Sequence, residues 1–250
     1  MSQQSQALAF STLHRKHNPV ILYNIWDAGS ALAVEQVGAK AIATGSWSCA
    51  AAQGYQDGEA MPFARLLQTV QRIASVISLP LTVDFETGYG AERRANLSAL
   101  LQAGVAGINV EDQQMGLSAL NGIREQCGIL NSLRQVAETQ GIALFINART
   151  DVFLQQPDAT QHPALMAEAK KRLAAYRDAG ASGFFVPGLS DLTLIAELCD
   201  VSALPVNIMA SNLTPPLAGL TAAGVSRISY GPHPYIGLMD TLRLQAGALY

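Results

Sequence analysis

The sequence predicts an α/β fold, a (β/α)8 barrel of the TIM type forming one domain over residues 1–250. Three observations carry that prediction. Short apolar runs alternate with longer amphipathic stretches along the chain, eight of each, as repeated βα units require. A helix, a Gly, a small residue and then a strand recur at Gly38-Ala39, Gly104-Val105, Gly180-Ala181 and Gly224-Val225. Each Gly suits the left-handed position that closes a helix, and the uneven spacing marks βα repetition and not a solenoid. No Gly-x-Gly-x-x-Gly follows the first strand, which leaves a doubly wound open sheet as the runner-up.

In chain order, 20–23 reads as the first strand and 28–37 as its helix, capped by Asp27. Residues 41–44 form the second strand, and a loop with Gly54 and Gly58 leads to a helix over 63–77 that starts after Pro62. The third strand runs from Leu81 into Asp84-Phe85-Glu86 and ends at Gly88-Tyr89-Gly90. If it holds through both acids, its period of two puts them on one face. A helix over 93–103, a strand over 107–110, an irregular stretch over 113–124 and a helix to 140 follow. Strand five covers 144–148, and the helix over 164–179 carries Lys170, Lys171, Arg172 and Arg177, which read as a solvated face. Strand six is 183–186, stopped by Pro187-Gly188. A helix over 191–199, a strand over 206–209, a short helix over 217–223 and a strand over 227–230 complete the eight units. Gly231-Pro232-His233-Pro234 then breaks the chain before a last helix to 248.

Composition narrows the function. The chain is 49% hydrophobic with a net charge of −3, which supplies no electrostatic footprint for nucleic acid or a membrane surface. Cys49, Cys127 and Cys199 are too few and scattered for a disulfide framework or a zinc site, so a reducing cytoplasm is expected. Residues 1–19 are polar and mixed, without the apolar core of a secretory signal, and no apolar run is long enough for a membrane span.

In a barrel of this class, active sites lie at the C-terminal strand ends. Those ends hold Asn24 and Asp27, Gly45-Ser46-Trp47, Asp84 and Glu86, Glu111 and Asp112, Asn147 with Arg149 and Asp151, and Asn207. Asp84, Glu86 and Glu111 are hard oxygen donors suited to Mg2+ or Mn2+ that keeps several waters. The alternative is helix caps plus a salt bridge to Arg149. The Arg149 fork matches a carboxylate or phosphoryl group, or is a structural partner of Asp112 or Asp151. Asp57, in the loop after strand two, is placed for proton transfer, or is an ordinary Asp-Gly turn. Ser46 and its neighbours offer backbone N–H groups to a carboxylate oxygen, or form a simple turn. Cys127 lacks a neighbouring Lys or His to activate it and reads as part of a helix start. His14, His17, His162 and His233 show no metal-ligand spacing and read as surface or loop residues.

Taken together, Gly45-Ser46-Trp47, Asp57-Gly58, the stretch from Val83 to Gly90, Val110-Glu111-Asp112, the stretch from Asn147 to Asp151 and Pro205-Val206-Asn207 resemble the isocitrate lyase / phosphoenolpyruvate mutase superfamily. The resemblance implies a Mg2+-dependent enzyme that makes or breaks a C–C or P–C bond on a small 2-oxo or 2-hydroxy acid, or a phosphonopyruvate-like compound, through an enolate. It implies that Asp84, Glu86 and Glu111 serve the metal and Arg149 grips the substrate's acid group. Gly45, Ser46, Trp47 and Asn207 seat the substrate, and Asp57 is a functional loop aspartate. It also implies a homo-oligomer, dimer or tetramer, whose last helix is swapped between subunits. The superfamily's C–C lyases carry a Lys-x-Cys-Gly-His loop after the Glu-Asp pair, where this chain reads Gln113-Gln114-Met115-Gly116-Leu117-Ser118. The expectation is therefore an enzyme other than a standard isocitrate or methylisocitrate lyase. The competing readings are a metabolite-binding barrel with reduced catalysis and a pyruvate-type metal-dependent aldolase.

Overall fold

The computed structural model describes residues 2–212 and 214–250. The chain opens with α1 (Gln3–Thr12), β1 (Val20–Leu22), α2 (Ala28–Gln36), β2 (Ile42–Ala43), α3 (Ser46–Ala51) and α4 (Phe63–Ala74). It continues through β3 (Leu81–Asp84), α5 (Arg93–Gln102), β4 (Gly107–Glu111), α6 (Ile123–Thr139), β5 (Phe145–Arg149) and α7 (His162–Asp178). It ends with β6 (Gly183–Phe185), α8 (Leu192–Val201), β7 (Val206–Met209), α9 (Leu217–Ala222), β8 (Arg227–Ser229) and α10 (His233–Gly247).

The eight strands form one sheet in the order β1-β8-β7-β6-β5-β4-β3-β2, with every paired neighbour parallel. The seam between β1 and β2 is bridged just beyond their ends. Ile25 N–H donates to Ala43 O at 2.8 Å and Gly45 N–H to Ile25 O at 3.1 Å. Asn24 latches the same seam: Nδ2 donates to Thr44 O at 2.8 Å, and Oδ1 accepts from Tyr230 and Gly231 N–H at 2.9 and 2.8 Å. The sheet thus curls into the expected barrel. The four recurring glycines sit one residue past a helix C-cap with φ between +88° and +95°, as the repeated pattern requires.

Strand alternation sorts the interior from the sheath. Ile42, Leu81, Val83, Ile108, Val110, Ile146, Val206, Ile208 and Ile228 pack outward against the helices. Val20, Leu22, Ala41, Ala43 and Phe145 instead pack with Ala7 and Phe10 of α1. Helix α1 therefore plugs the N-terminal end of the barrel. It has only two fully buried side chains, so the sequence shows no helical stripe there. Tertiary bonds hold it: Gln3 Nε2 donates to Leu101 O and Val105 O at 2.6 and 3.0 Å, and Gln4 Oε1 accepts from Ala143 N–H at 2.7 Å. A Cβ at Gly107 would lie 2.6 Å from Phe10, so β4 starts with the residue that clears the plug.

Three sequence readings are corrected. His14 is no surface residue: it is buried under the plug, its ring stacked on Phe145 at 3.9 Å. His162 is likewise buried, against Phe153, with Nε2 bonded to Gln156 O at 2.8 Å. Arg172 does not belong to a solvated face; it turns inward and pairs with the fully buried Asp112 at 2.9 Å.

Candidate active site

A cavity of about 230 Å3 opens at the C-terminal end of the strands. Its polar lining is Asn24, Ser46, Asp57, Asp84, Asn109, Arg149 and Ser229; its apolar lining includes Trp47, Leu154, Phe185, Met209 and Pro232. The cavity thus gathers Gly45, Ser46, Trp47, Asp57, Asp84 and Arg149 as the sequence anticipates. Glu86 and Glu111 are buried beside it. Asn207 lies on β7, fully buried, with Nδ2 donating to Ser229 Oγ at 3.2 Å, and does not line the cavity. A larger groove of about 710 Å3 between α2 and α10 has a single carboxylate, Asp27, which caps α2 by accepting from Ser30 N–H. The chemistry-bearing residues converge on the smaller cavity.

Asp84 ends β3, and its Oδ2 accepts from Ser46 N–H at 3.2 Å and Ser46 Oγ at 2.9 Å. Its Oδ1 is buried without a partner among the described residues. Ser46 is the first residue of α3, a short helix the sequence reading took for a strand-end turn, since 46–51 shows no periodicity. Its N-cap residue, Gly45, has no side chain to cap the helix, and the Asp84 carboxylate takes that part for the Ser46 N–H.

The strand does not hold through Glu86. After Phe85 the backbone turns, with Glu86 at φ +50°, so the period-of-two placement of Asp84 and Glu86 fails. The turn is fixed from both sides: Glu86 O accepts from Glu111 N–H at 2.8 Å, and its carboxylate accepts from Tyr89 Oη at 2.9 Å and from Glu59 N–H. Glu59 in turn accepts from Thr87 and Tyr89 N–H at 3.1 and 2.8 Å, tying the loop after β2 to the loop after β3. Burial, then repulsion from Asp84, pushes the Glu86 carboxyl up to about 7. Glu111 is also raised, by burial outweighing its Arg149 partner and then by Asp151, Asp84 and Glu86. Asp57 shifts upward for the same two leading reasons, burial and Asp84.

Arg149 ends β5 and pairs with Asp151 through Nε and Nη2 at 2.6 and 2.8 Å, and with Glu111 through Nη1 at 2.7 Å. Burial would lower its pKa, but those two carboxylates outweigh burial and hold it above the usual arginine value. Of five guanidinium N–H groups three are engaged, leaving two for a ligand. The partner is Asp151, and not Asp112. Asp112 accepts from Arg172 Nη1 at 2.9 Å, Tyr176 Oη at 2.7 Å and Asp151 N–H at 3.1 Å, and so sets Asp151 in place.

Sequence reasoning missed the floor of the cavity. Arg227 is fully buried inside the barrel, with Nε donating to Ser229 Oγ at 3.2 Å and Nη2 to Asn109 Oδ1 at 3.1 Å. Asn147 Nδ2 donates to the same Oδ1 at 3.0 Å. With its oxygen held by two donors, Asn109 turns its amide N–H groups toward the cavity. Stepping back by two from Glu111, or forward by two from Arg227, would have found Asn109 and Ser229 as inward-facing residues. Cys127 lies on α6 away from the cavity, its Sγ against Ala175 O at 3.4 Å, and burial followed by Asp178 pushes its thiol up.

The phosphoenolpyruvate phosphomutase family profile matches residues 10–250. A 2-methylisocitrate lyase of Escherichia coli K12 is 30% identical over 224 residues, 86% of this chain and 74% of that one. The crystal structure of a Burkholderia cenocepacia protein with a provisional phosphonomutase designation superposes with a TM-score of 0.94 at 41% identity, covering 98% of this chain and all of the other. A phosphonopyruvate hydrolase solved with oxalate and Mg2+ superposes with a TM-score of 0.83 over 97% of this chain and 85% of that one, at 19% identity, a likeness of fold. With the profile spanning nearly the whole barrel, the chain belongs to the phosphoenolpyruvate mutase family of the isocitrate lyase / phosphoenolpyruvate mutase superfamily.

Proposed function

We propose that the protein is a Mg2+-dependent enzyme, with Mn2+ able to substitute, that acts on a small 2-oxo or 2-hydroxy acid or a phosphonopyruvate-like compound. It breaks or rearranges a C–C or P–C bond through an enolate. The observation that carries this reading is the crowding of carboxylates at one end of the barrel. Asp57, Glu86 and Glu111 are all raised by burial and mutual repulsion, and Asp84 Oδ1 is buried with no partner among the described residues. Such a cluster fits a hard divalent cation. Among the described residues no three His, Cys, Asp or Glu side chains are grouped closely enough to hold an ion by themselves. Mg2+ keeps several waters and takes few direct protein ligands, so water would complete its shell. Asp84, Glu86 and Glu111 would hold it. When bound, it would polarise the C2 carbonyl and stabilise negative charge developing on its oxygen.

The chain's own residues supply the rest. The two free Arg149 N–H groups and the first turn of α3 beside Ser46, at Trp47, receive the substrate carboxylate, and Asn109 offers its amide to the carbonyl oxygen. Asn207 supports the seat through Ser229. Asp57, raised by burial, holds or delivers the proton at C3. Its relatives carry names as different as methylisocitrate lyase and phosphonopyruvate hydrolase. The loop at 113–118, with Cys127 turned away onto α6, favours a reaction other than isocitrate or methylisocitrate cleavage.

The working form is a homo-oligomer, dimer or tetramer, in the cytoplasm. Only Pro234 is buried along α10, and Leu238, Leu242 and Leu244 on it are exposed, which suits a helix exchanged with a neighbouring barrel. Among the described residues no helix is long and apolar enough to cross a membrane. The test is calorimetric titration of Mg2+, alone and with oxalate, on the wild type, Asp84→Ala and Glu111→Gln, alongside turnover of a 2-oxo acid panel. Mg2+-dependent oxalate binding lost in both variants supports the proposal. Binding that needs neither Mg2+ nor these carboxylates refutes it, and tight binding without turnover favours the metabolite-binding barrel.

A further inference from the structure

Three of the four non-glycine residues with positive φ, among the described residues, fall in two loops at the C-terminal end of the barrel: Glu59 at +59°, Glu86 at +50° and Tyr89 at +61°. Side chains disfavour that region, so each residue persists there only where its contacts determine it. Those contacts run between the two loops. Glu59 Oε1 accepts from Thr87 N–H and Oγ1 at 3.1 and 2.6 Å and from Tyr89 N–H at 2.8 Å. In return Glu59 N–H donates to Glu86 Oε2, and Tyr89 Oη donates to Glu86 Oε1 at 2.9 Å. The result is a reciprocal clasp, in which the carboxylate of each loop takes main-chain N–H from the other.

The clasp reaches the site at two places. Asp57, which lines the cavity, stands two residues before Glu59, across Gly58 at φ +83°. Residues 56–61 make no main-chain to main-chain hydrogen bond among the described residues. Glu59 is therefore the polar tie of the Asp57 loop, with the buried Met61 beyond it. On the other side, the clasp orients both oxygens of Glu86, and each keeps a lone pair for a further partner. The Glu86 main-chain O takes Glu111 N–H at 2.8 Å, so the orientation of one carboxylate is tied to the strand that carries the next. Glu59 does not line the cavity, and its influence there passes through Asp57 and Glu86.

We infer that Glu59 and Tyr89 are positioning residues, which hold the Glu86 carboxylate and the Asp57 loop in register at the cavity. The inference rests on the metal-dependent reading above and deepens it. The experiment measures Mg2+-dependent oxalate binding by calorimetry, and amide exchange over 52–62 and 85–92, in the wild type, Glu59→Ala, Glu59→Gln and Tyr89→Phe. The three bonds that Glu59 accepts converge on one oxygen, and a Gln amide oxygen can accept them too. Glu59→Gln is therefore expected to keep wild-type exchange and an oxalate affinity within about threefold of wild type. Glu59→Ala is expected to exchange faster in both segments and to bind oxalate at least about tenfold more weakly. Tyr89→Phe, which frees only Glu86 Oε1, is expected to lose at least about threefold. Faster exchange in Glu59→Ala with unchanged affinity would mark a tie that only stabilises the loops, and overturns the inference. So does a Glu59→Gln protein that binds as poorly as Glu59→Ala. Where Glu59→Ala does not fold, Tyr89→Phe decides, and wild-type affinity there overturns the inference. A wild type without Mg2+-dependent oxalate binding overturns the metal-dependent reading, and this role with it.

Discussion

Replacing Arg172 by Met should unfold the protein far more readily than any loss of a helix-surface arginine would. The Arg172 side chain is 8% exposed and that of Asp112 0%. Its Nη1 donates to Asp112 Oδ2, Asn121 O and Tyr176 Oη at 2.9, 3.0 and 2.9 Å. Met fills most of the volume but leaves the Asp112 carboxylate buried without its cation. Breaking a buried pair from one side costs about 3–5 kcal/mol. In a chain of this size each kcal/mol moves the melting temperature by about 2–4 °C, so a fall of roughly 10 °C is expected. Burial already raises the Asp112 carboxyl despite its partners. Without Arg172 it rises further above its unfolded value, so the loss should deepen as pH rises, because the charged form is the one the fold now rejects. The control is Asp112→Asn with Arg172→Met, which removes both charges and keeps Tyr176 as a donor; it should recover part of the loss. Urea unfolding at pH 6 and pH 8 reads all three proteins. A cost below about 1 kcal/mol for Arg172→Met, or a double variant that is worse by the sum of the singles, would refute the reasoning.

Other expectations follow from the same geometry. His14 is buried and its pKa is lowered to about 3, first by burial and then by Arg227; unfolded His takes a proton near pH 6.5 while the folded one does not, so stability should fall as pH drops below that value. Between pH 7 and 4.5 the loss from this group alone is about 2–3 kcal/mol, and a flat urea midpoint over that window, or one unchanged in slope by His14→Phe, would contradict it. Arg149→Lys should still fold but lose at least about tenfold in oxalate affinity, because a point charge cannot replace a planar fork that pairs with Asp151 along one edge and offers further N–H groups to a ligand; equal affinity by calorimetry would end that assignment. Cys127→Ser should leave any 2-oxo acid turnover unchanged, and methylisocitrate cleavage that vanishes with it would restore the thiol as a catalytic group. Light scattering at micromolar concentration should find a dimer or tetramer, and removal of 233–250 should release monomers; a monomeric full-length chain would count against exchange of α10.

The barrel and the location of its site were legible because they rest on local regularities. Strand alternation, the four C-terminal glycines and the acids at strand ends are each visible within a few residues of chain. What escaped depends on contacts between distant segments. Nothing in 3–12 marks a helix, since α1 is held by Phe10 under β4 and β5 and by bonds to Leu101, Val105 and Ala143. Arg172 sits among Lys170, Lys171 and Arg177, and only the position of Asp112 across the helix layer makes it different. Glu86 was misplaced on one face with Asp84 because a left-handed turn at a non-glycine residue has no sequence signal. That turn is sustained by Tyr89, three residues on in the same loop, and by Glu59 from the loop after β2, which both close on the carboxylate.

Charge along the barrel axis explains why these pieces work as one site. The N-terminal end is apolar, sealed by Phe10 and Phe145. Above it lies Arg227, fully buried, bonded to Asn109 and Ser229 but to no carboxylate. Burial brings its pKa down to about 9, still high enough to keep the charge near neutral pH, and Asp84 favours that charge. The next layer is negative: Asp84, Glu86, Glu111 and Asp57. Burial and mutual repulsion raise Asp57, Glu86 and Glu111, and of the four only Asp84 acts electrostatically on Arg227. Arg227 faces Asp84 from below without occupying a carboxylate oxygen, and Asp84 Oδ1 has no partner among the described residues. Arg149 does the opposite at the rim, where Asp151 and Glu111 consume most of its fork and leave two N–H groups. Cationic charge is thus placed deep, at Arg227, and at one edge, at Arg149, with the carboxyl groups between. A divalent ion and a substrate carboxylate would complete that arrangement.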